Sequence, residues 1–423
     1  MPNSPVACLS AFLVVSLLAL PSNAQNRSTE QEEAGITDQT AECQPYDYPP
    51  VDAAIGNFPV NWATATILPN DIAAAAKYQS IVGLIPNIAP KGTQPGSLDG
   101  VFDGSYNDTD PDCWWTSTGC TIPKHPGIPA DIITTPEPSS LGYGFDDGPN
   151  CSHNAFYDYL WQKNQKATMY YIGSNVMDYP LEAQRALKDG HEICVHTWSH
   201  HYMTALTNEQ LFAEFWYAIK LVVGVTPTCW RPPYGDIDDR VRAVAQAMGL
   251  RSILWTYDSE DWSEGDAGVT PASIDANYQG LISAAENGTF ATAGTIMLTH
   301  ELNNFTMSEA MKFHDQLGTV FKYLVPVGVA LNVTQPYVES GYSLPTFQQY
   351  ISGITMSNGS SSSSGSGNGQ TPAGSSGSNP SSSNGQGSSS NKSAGSRSAV
   401  SSGGVSIALL GVIATVLVRL SGL

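Results

Sequence analysis

From Leu141 onward, short apolar runs rich in strand-forming residues alternate with segments of helical character, and this alternation limits the possible folds more than any other feature of the 423 residues. The runs are Ala167 to Ile172, His191 to His196, Ile253 to Tyr257, Thr295 to Leu298 and Val327 to Leu331. Between them the pattern predicts helices over Asn154 to Asn164, Leu181 to Asp189, Asn208 to Val223, Asp238 to Met248 and Pro271 to Asn287. Thr207-Asn208-Glu209-Gln210 carries the N-cap chemistry that opens the third of these. Strands and helices taken in turn mean an α/β fold with a parallel sheet. Roughly two hundred residues of this kind can close into a barrel or stay an open doubly wound sheet. No internal repeat and no Gly-rich phosphate loop interrupts the pattern.

The ends of the chain read differently. Leu9 to Leu20 is apolar, Pro21 breaks the run, and Ser22-Asn23-Ala24 offers small residues for cleavage, so residues 1–24 read as a secretion signal. The stretch Met1 to Ala7 departs from that pattern in having no Lys or Arg. Residues 25–140 are rich in Pro, Gly, Asn and Asp, with one Ala-rich helical stretch near Ile72 to Ala76. They are expected to form an irregular extension packed on a main domain spanning 141–355. Residues 356–404 are mostly Ser, Gly and Asn, and cannot bury enough apolar surface to offset the entropy of ordering them. A disordered stalk, open to O-glycosylation, is expected there. The last segment, 405–423, contains an apolar run from Val405 to Val418. As a helix it rises only about 21 Å, short of a hydrocarbon core of about 30 Å. With Ser393-Ala394-Gly395 and a polar spacer before it, the tail matches a GPI attachment signal, from which Arg419 departs. Ser393, Asn391 and Gly395 are the candidate attachment residues.

Redox and charge agree with an exported protein. Of seven cysteines Cys8 falls in the signal, and the remaining six suggest disulfides, with Cys113 and Cys120 the expected short-loop pair. Asn107, Asn287, Asn304 and Asn332 head N-glycosylation sequons. The expected location is outside a eukaryotic cell, lipid-anchored on the outer face of the plasma membrane or in the wall. Eighteen basic against 38 acidic residues leave a formal charge of −20, which argues against a nucleic-acid partner. A hydrophobic share of 41% with only 13% charged residues argues against charge-driven disorder of the whole chain.

Rare polar groups collect where the strands end. In a parallel α/β fold the C-terminal strand ends share one face, and catalytic groups are presented there. Five such ends carry chemistry: Phe145-Asp146-Asp147-Gly148-Pro149, His196-Thr197-Trp198-Ser199-His200, Arg231-Pro232-Pro233-Tyr234-Gly235, Asp258-Ser259-Glu260-Asp261-Trp262 and Leu298-Thr299-His300. His196 and His200, four apart, would point the same way on a helical turn and grip one ion, with Asp147 as third ligand. Taken alone, an H-x₃-H spacing describes many solvated surface histidines, and two His with one carboxylate also describe a non-haem iron oxygenase. The nearby acid, base and Arg candidates favour a zinc hydrolase. Asp146 then stays ionised as general base, held by paired N–H bonds from Arg231. His300 suits protonation of a leaving amine, with Asp261 orienting its ring and raising its pKa. Trp262 and Leu298 are core residues or the walls of a small apolar pocket.

Taken in this order, the five segments resemble the five motifs of the polysaccharide deacetylases of carbohydrate esterase family 4, over roughly Leu141 to Val338. The resemblance implies a distorted (β/α) barrel of seven or eight strands and a divalent metal, zinc or cobalt, on Asp147, His196 and His200. It also implies Asp146 as catalytic base, His300 as acid, Arg231 and Asp261 as their supports, and the backbone N–H of Tyr234 as oxyanion donor. Trp262 and Leu298 would line the acetyl pocket. Together with the secretion signal and anchor, the implied substrate is chitin of the producer's own wall, taken by a monomer. The alternatives are an O-acetyl esterase acting on a xylan-type polysaccharide and a non-catalytic wall carbohydrate-binding protein. Gly144 stands where the family usually has Thr or Ser, and His201 is an extra histidine without an assigned role.

Overall fold

The strand-forming runs are buried on both faces, the condition under which a parallel strand reads as continuous apolar sequence. In a computed structural model, which describes residues 27–92, 95–98, 106–107, 109–221 and 224–358, the parallel strands are β1 (Ser140–Gly142), β2 (Gly144–Gly148), β3 (Thr168–Tyr171), β4 (Glu192–Val195), β5 (Cys229–Trp230), β6 (Arg251–Ser252), β7 (Tyr257–Asp258), β8 (Thr295–Leu298) and β9 (Tyr323–Val325), and a short antiparallel pair, Tyr342–Ser343 with Ser357–Asn358, follows them. Residues of β1, β2, β3, β4 and β8 are buried throughout. β2 to β6 pair in chain order, all parallel, while β7-β8-β1-β9 form a second parallel set.

The two sets are parts of one barrel. β1 and β2 are successive halves of one extended run, and β6 and β7 bracket a bend. A parallel bridge between Asp146 and His300 joins the end of β2 to the end of β8, and Thr256 N–H donates to the Ile296 carbonyl at 3.1 Å. Counting β1 with β2 and β6 with β7, seven parallel runs form a distorted (β/α) barrel. Helices Asn154–Gln162, Pro180–Lys188, Asn208–Leu221, Asp239–Ala247, Pro271–Glu286 and Asn304–Val320 lie between the strands in sequence. Thr207 and Gln210 cap the third reciprocally, Gln210 N–H to Thr207 Oγ1 at 3.3 Å and Thr207 N–H to Gln210 Oε1 at 2.9 Å.

Two expectations need correction. The run Val327 to Leu331 is not a strand: Val327–Ala330 is a helical turn, and the strand lies just upstream at β9. Pro326 precedes the turn, and the next amides are taken by side chains, Val327 N–H by Thr168 Oγ1 at 2.8 Å and Gly328 N–H by Glu192 Oε2 at 2.7 Å. The ladder has no donors left to continue. A Cβ at Gly328 would stand 2.1 Å from Glu192 Oε1, so glycine is required there. Ile253 to Tyr257 is likewise not one straight strand, because only its flanks are β6 and β7. Helices Gly173–Asp178 and Asn304–Val320 were not expected; the latter opens with a capping box at Asn303.

The extension is tied down at many points. Cys43–Cys151 links it to the loop after β2, and Cys113–Cys120 closes its own short loop. Cys194–Cys229 joins β4 to β5. Buried Asn154 donates to the carbonyls of Glu33 and Ile36, at 2.9 and 3.1 Å. Ile72–Ile81 is the Ala-rich helix, capped by Asp71. The secretion signal, residues 359–404 of the Ser-rich segment, the attachment candidates Asn391, Ser393 and Gly395, and the apolar tail lie outside the described residues. Among the described residues no helix is long and apolar enough to cross a membrane.

Candidate active site

Each strand end contributes one part to a common mouth. Asp146 and Asp147 close β2, His196 follows β4, Arg231 follows β5, Asp261 lies three residues past β7, and His300 lies two past β8. His196 Nε2 and His200 Nε2 stand 3.4 and 3.1 Å from the same oxygen, Asp147 Oδ1. That oxygen is buried and accepts no hydrogen bond. A buried, unpartnered carboxylate oxygen faced by two ring nitrogens fits a divalent cation, for which one carboxylate and two imidazoles are a suitable donor set. The other two acid–cysteine groupings among the described residues have their sulfurs in disulfides, so they offer no thiolate.

The tautomer of His196 follows from one contact. Its Nδ1 lies 2.8 Å from the Arg231 carbonyl oxygen, which can only accept, so Nδ1 carries the proton and Nε2 keeps its lone pair toward Asp147. Burial alone would raise the Asp147 carboxyl, but the charge of the neighbouring His200 reverses this and holds it well below the ordinary range. The histidine pair does not sit on a helical turn as its spacing predicts. The chain leaves β4 through Thr197 (φ 66°) and His200 itself lies at φ 56°. Buried Glu214 holds this loop, accepting from Trp198 N–H and Ser199 N–H at 2.9 Å each and from Ser199 Oγ at 2.6 Å. A third backbone amide, Ala65 N–H of the extension, reaches it at 2.8 Å.

Asp146 and Arg231 pair at 2.6 Å with both side chains buried. The expected two-pronged contact is absent. Only Nη1 reaches Asp146, while Nη2 donates to Tyr170 Oη at 3.3 Å and Nε to the Ile253 carbonyl at 3.4 Å. The guanidinium lies 4.0 Å over the Tyr170 ring, which fixes its plane and denies the carboxylate a parallel approach. On the far side Asp261 Oδ1 stands 2.6 Å from His300 Nδ1, and Asp261 Oδ2 accepts the His300 backbone N–H at 3.1 Å. Burial lowers the His300 pKa, yet the Asp261 charge and hydrogen bond outweigh it and push the ring up to about 10. The Asp146 carboxylate on one side and the His300 imidazolium on the other can take a proton from water and give one to a leaving group.

The remaining candidates fall around this centre. Tyr234 (φ 57°) lies in the turn after Arg231, its ring edge-on to His200 at 4.7 Å and stacked on Tyr202 at 4.1 Å. Trp262 is half exposed beside Asp261, and Leu298 is buried two residues before His300. Gly144 is a steric requirement, because a Cβ there would stand 2.6 Å from the Thr168 carbonyl oxygen. Asn107, Asn287, Asn304 and Asn332 are all on the surface. Of these, Asn304 is engaged with Ser152 and Gln39, and Asn332 accepts from Phe347 N–H.

Sequence reasoning overlooked Glu214, Tyr170, Asn175 and Glu301. Asn175 Nδ2 donates to the Asp147 carbonyl at 2.7 Å, supporting a residue at φ 69°. Glu301 is fully buried, accepting from Asn150 N–H and Tyr157 Oη at 3.0 and 2.8 Å. The one signal for Glu214 was an acid flanked by Phe212 and Phe215 on a helix face that is otherwise core.

Residues 134–253 match the family model described as polysaccharide deacetylase. The match takes in Asp146, Asp147, His196, His200 and Arg231 and stops short of Asp261 and His300. Chitin deacetylase 2 of Cryptococcus neoformans var. grubii serotype A is 51% identical over 336 residues, 77% of this chain and 73% of that protein. A chitin deacetylase of Amylomyces rouxii is 44% identical over 322 residues, 73% of this chain and 74% of that one. The solved chitin deacetylase of Colletotrichum lindemuthianum superposes with a TM-score of 0.45 at 21% identity, covering 49% of this chain and 95% of that chain.

Proposed function

Because this chain belongs to the polysaccharide deacetylase family, we propose that it hydrolyses the N-acetyl groups of chitin, releasing acetate and leaving glucosamine units. The observation that carries this reading is the placement of the Asp146–Arg231 pair and the His300–Asp261 pair around one three-donor cluster. Asp147, His196 and His200 would hold a divalent cation, zinc or cobalt, which supplies Lewis acidity toward the acetyl carbonyl and acidifies water when bound. Asp146, held in place by Arg231, takes a proton from the attacking water. The Tyr234 backbone N–H faces the developing oxyanion, a type of donor worth roughly 3–4 kcal/mol. His300 gives its Nε2 proton to the departing nitrogen, while Trp262 and Leu298 bound the acetyl methyl group. The test is acetate release by zinc-loaded protein from chitin hexamer, read by mass, beside acetylated xylan. Release from xylan alone would replace this reading with an esterase, and release from neither would leave a binding protein.

Two further outcomes follow. The raised pKa of His300 means that its pairing with Asp261 stabilises the fold fully below the ordinary histidine value of about 6.5 and ceases to do so as pH rises through about 10. Asp261→Asn removes that support, so the basic limb of the kcat/KM profile is expected to move down by at least one pH unit. Glu214→Ala leaves three buried amides without their acceptor, and a drop in zinc affinity of about 10- to 100-fold is expected, measured by competition with a chelator. Unchanged zinc affinity in a folded variant would assign Glu214 to the scaffold alone.

The reading of residues 1–24 as an export signal and of the apolar tail as a GPI signal, with the disulfides, supports a protein anchored by lipid on the outer face of the plasma membrane or passed to the wall, where we propose that it acts as a monomer. Release from cells by a phosphatidylinositol-specific phospholipase is the expected result. Retention after such treatment, with wall extraction also negative, would remove the anchor from the account.

A further inference from the structure

We propose that Trp62, on the N-terminal extension, is a stacking platform for a sugar ring of the chitin chain beyond the unit being deacetylated, an inference that rests on the reading above. The segment around it is pressed onto the histidine loop. Phe58 stacks on Trp198 at 6.0 Å and 7°, Trp198 Nε1 donates to the Val60 carbonyl at 3.3 Å, and Ala65 N–H reaches Glu214. Trp62 itself is held at two points. Its backbone N–H donates to Ser174 Oγ at 2.9 Å and its indole N–H to Asp178 Oδ2 at 3.1 Å. Asn61 Nδ2 takes the other oxygen of Asp178 at 2.8 Å. The residue after Ser174 is Asn175, whose side chain holds the Asp147 carbonyl, so the residue that anchors the platform is the chain neighbour of a support of the metal-ligand cluster.

Two features set Trp62 apart from a packing residue. Its backbone lies at φ 64°, where a bulky side chain is a rare outlier, and such strain persists only where surroundings impose it. Despite this anchoring, 46% of the residue remains open to solvent. An indole fixed by its N–H to the segment that follows the end of β3, with surface left bare, is suited to the apolar C–H face of a pyranose ring. Trp262 and Tyr234, also about half exposed, flank the same centre through other strand ends. Trp62 differs in coming from the extension, outside the barrel, and would extend the binding surface along the chain.

The experiment measures binding apart from turnover. Calorimetry of chitin hexamer on metal-stripped protein is expected to give a Kd about tenfold weaker for Trp62→Ala, with Trp62→Phe recovering most of the loss. In zinc-loaded enzyme the hexamer KM should rise by a similar factor with kcat held within about twofold, and the preference for hexamer over the disaccharide should shrink accordingly. Asp178→Ala, which frees the indole without removing it, should weaken hexamer binding in the same direction and serves if Trp62→Ala does not fold. Unchanged hexamer Kd in Trp62→Ala, or in Asp178→Ala where the former is unfolded, would overturn the proposal. An equal loss for disaccharide and hexamer would also overturn it, assigning Trp62 to the shape of the central site. If wild-type protein binds the hexamer but releases no acetate, the deacetylase reading fails while the platform is still decided by the Kd values.

Discussion

Replacing His196 by Ala is expected to abolish measurable acetate release from chitin hexamer, a fall in kcat/KM of at least about 10³-fold. His196 supplies one of three donor atoms lying within 4.8 Å of one another, and its second nitrogen is spent on the Arg231 carbonyl. The variant would therefore lose one metal donor and also one of the contacts between the β4 and β5 ends. With Asp147 and His200 alone, zinc affinity should drop by more than the roughly 10- to 100-fold typical of losing an outer support. The same end point should be reached in wild-type protein by dipicolinate, with activity returning on addition of zinc or cobalt. Full turnover in His196→Ala or in metal-stripped protein would remove the cation from the account.

Asp146→Asn should be nearly as inactive, for a different reason and with a different signature. Loss of a general base typically costs about 10²- to 10⁴-fold in rate, and the amide cannot take the proton. The three candidate metal donors are untouched, so zinc affinity is expected to stay within about threefold of wild type. Arg231 is then left as a fully buried cation without its counter-charge. Removing one partner of such a pair costs on the order of 3–5 kcal/mol, so thermal stability should fall as well, and activity is best compared well below the unfolding transition. The two variants separate the roles of the adjacent aspartates: one loses metal and activity together, the other loses activity and keeps metal. An Asp146→Asn enzyme that retained wild-type turnover would exclude Asp146 as the base.

Much of the barrel could be read ahead because its information is local. The run Ala167 to Ile172 is buried along its whole length and dominated by strand-forming side chains, and a helix such as Asn208–Leu221 announces its start with a reciprocal cap. The errors fall where a non-local partner overrides that signal. Val327 to Leu331 has strand composition, but Glu192 and Thr168 take its first amides and turn it into a helix. The His196–His200 spacing suits a helical turn, yet Glu214 binds the intervening amides and imposes a loop with left-handed residues at both Thr197 and His200. Arg231 was expected to grip Asp146 with two bonds, and Tyr170, buried beneath it, allows one.

The amino-acid order by itself determined which reactive groups exist and that each stands at a strand end, since periodicity and composition are properties of neighbours along the chain. Protonation and convergence were decided only in three dimensions. The ring proton of His196 is placed by a carbonyl 35 residues away, and the charge of His300 by a carboxylate 39 residues before it. Electrostatic and hydrogen-bond energies depend on distance through space and on burial, and neither quantity is written into the spacing of residues along a chain.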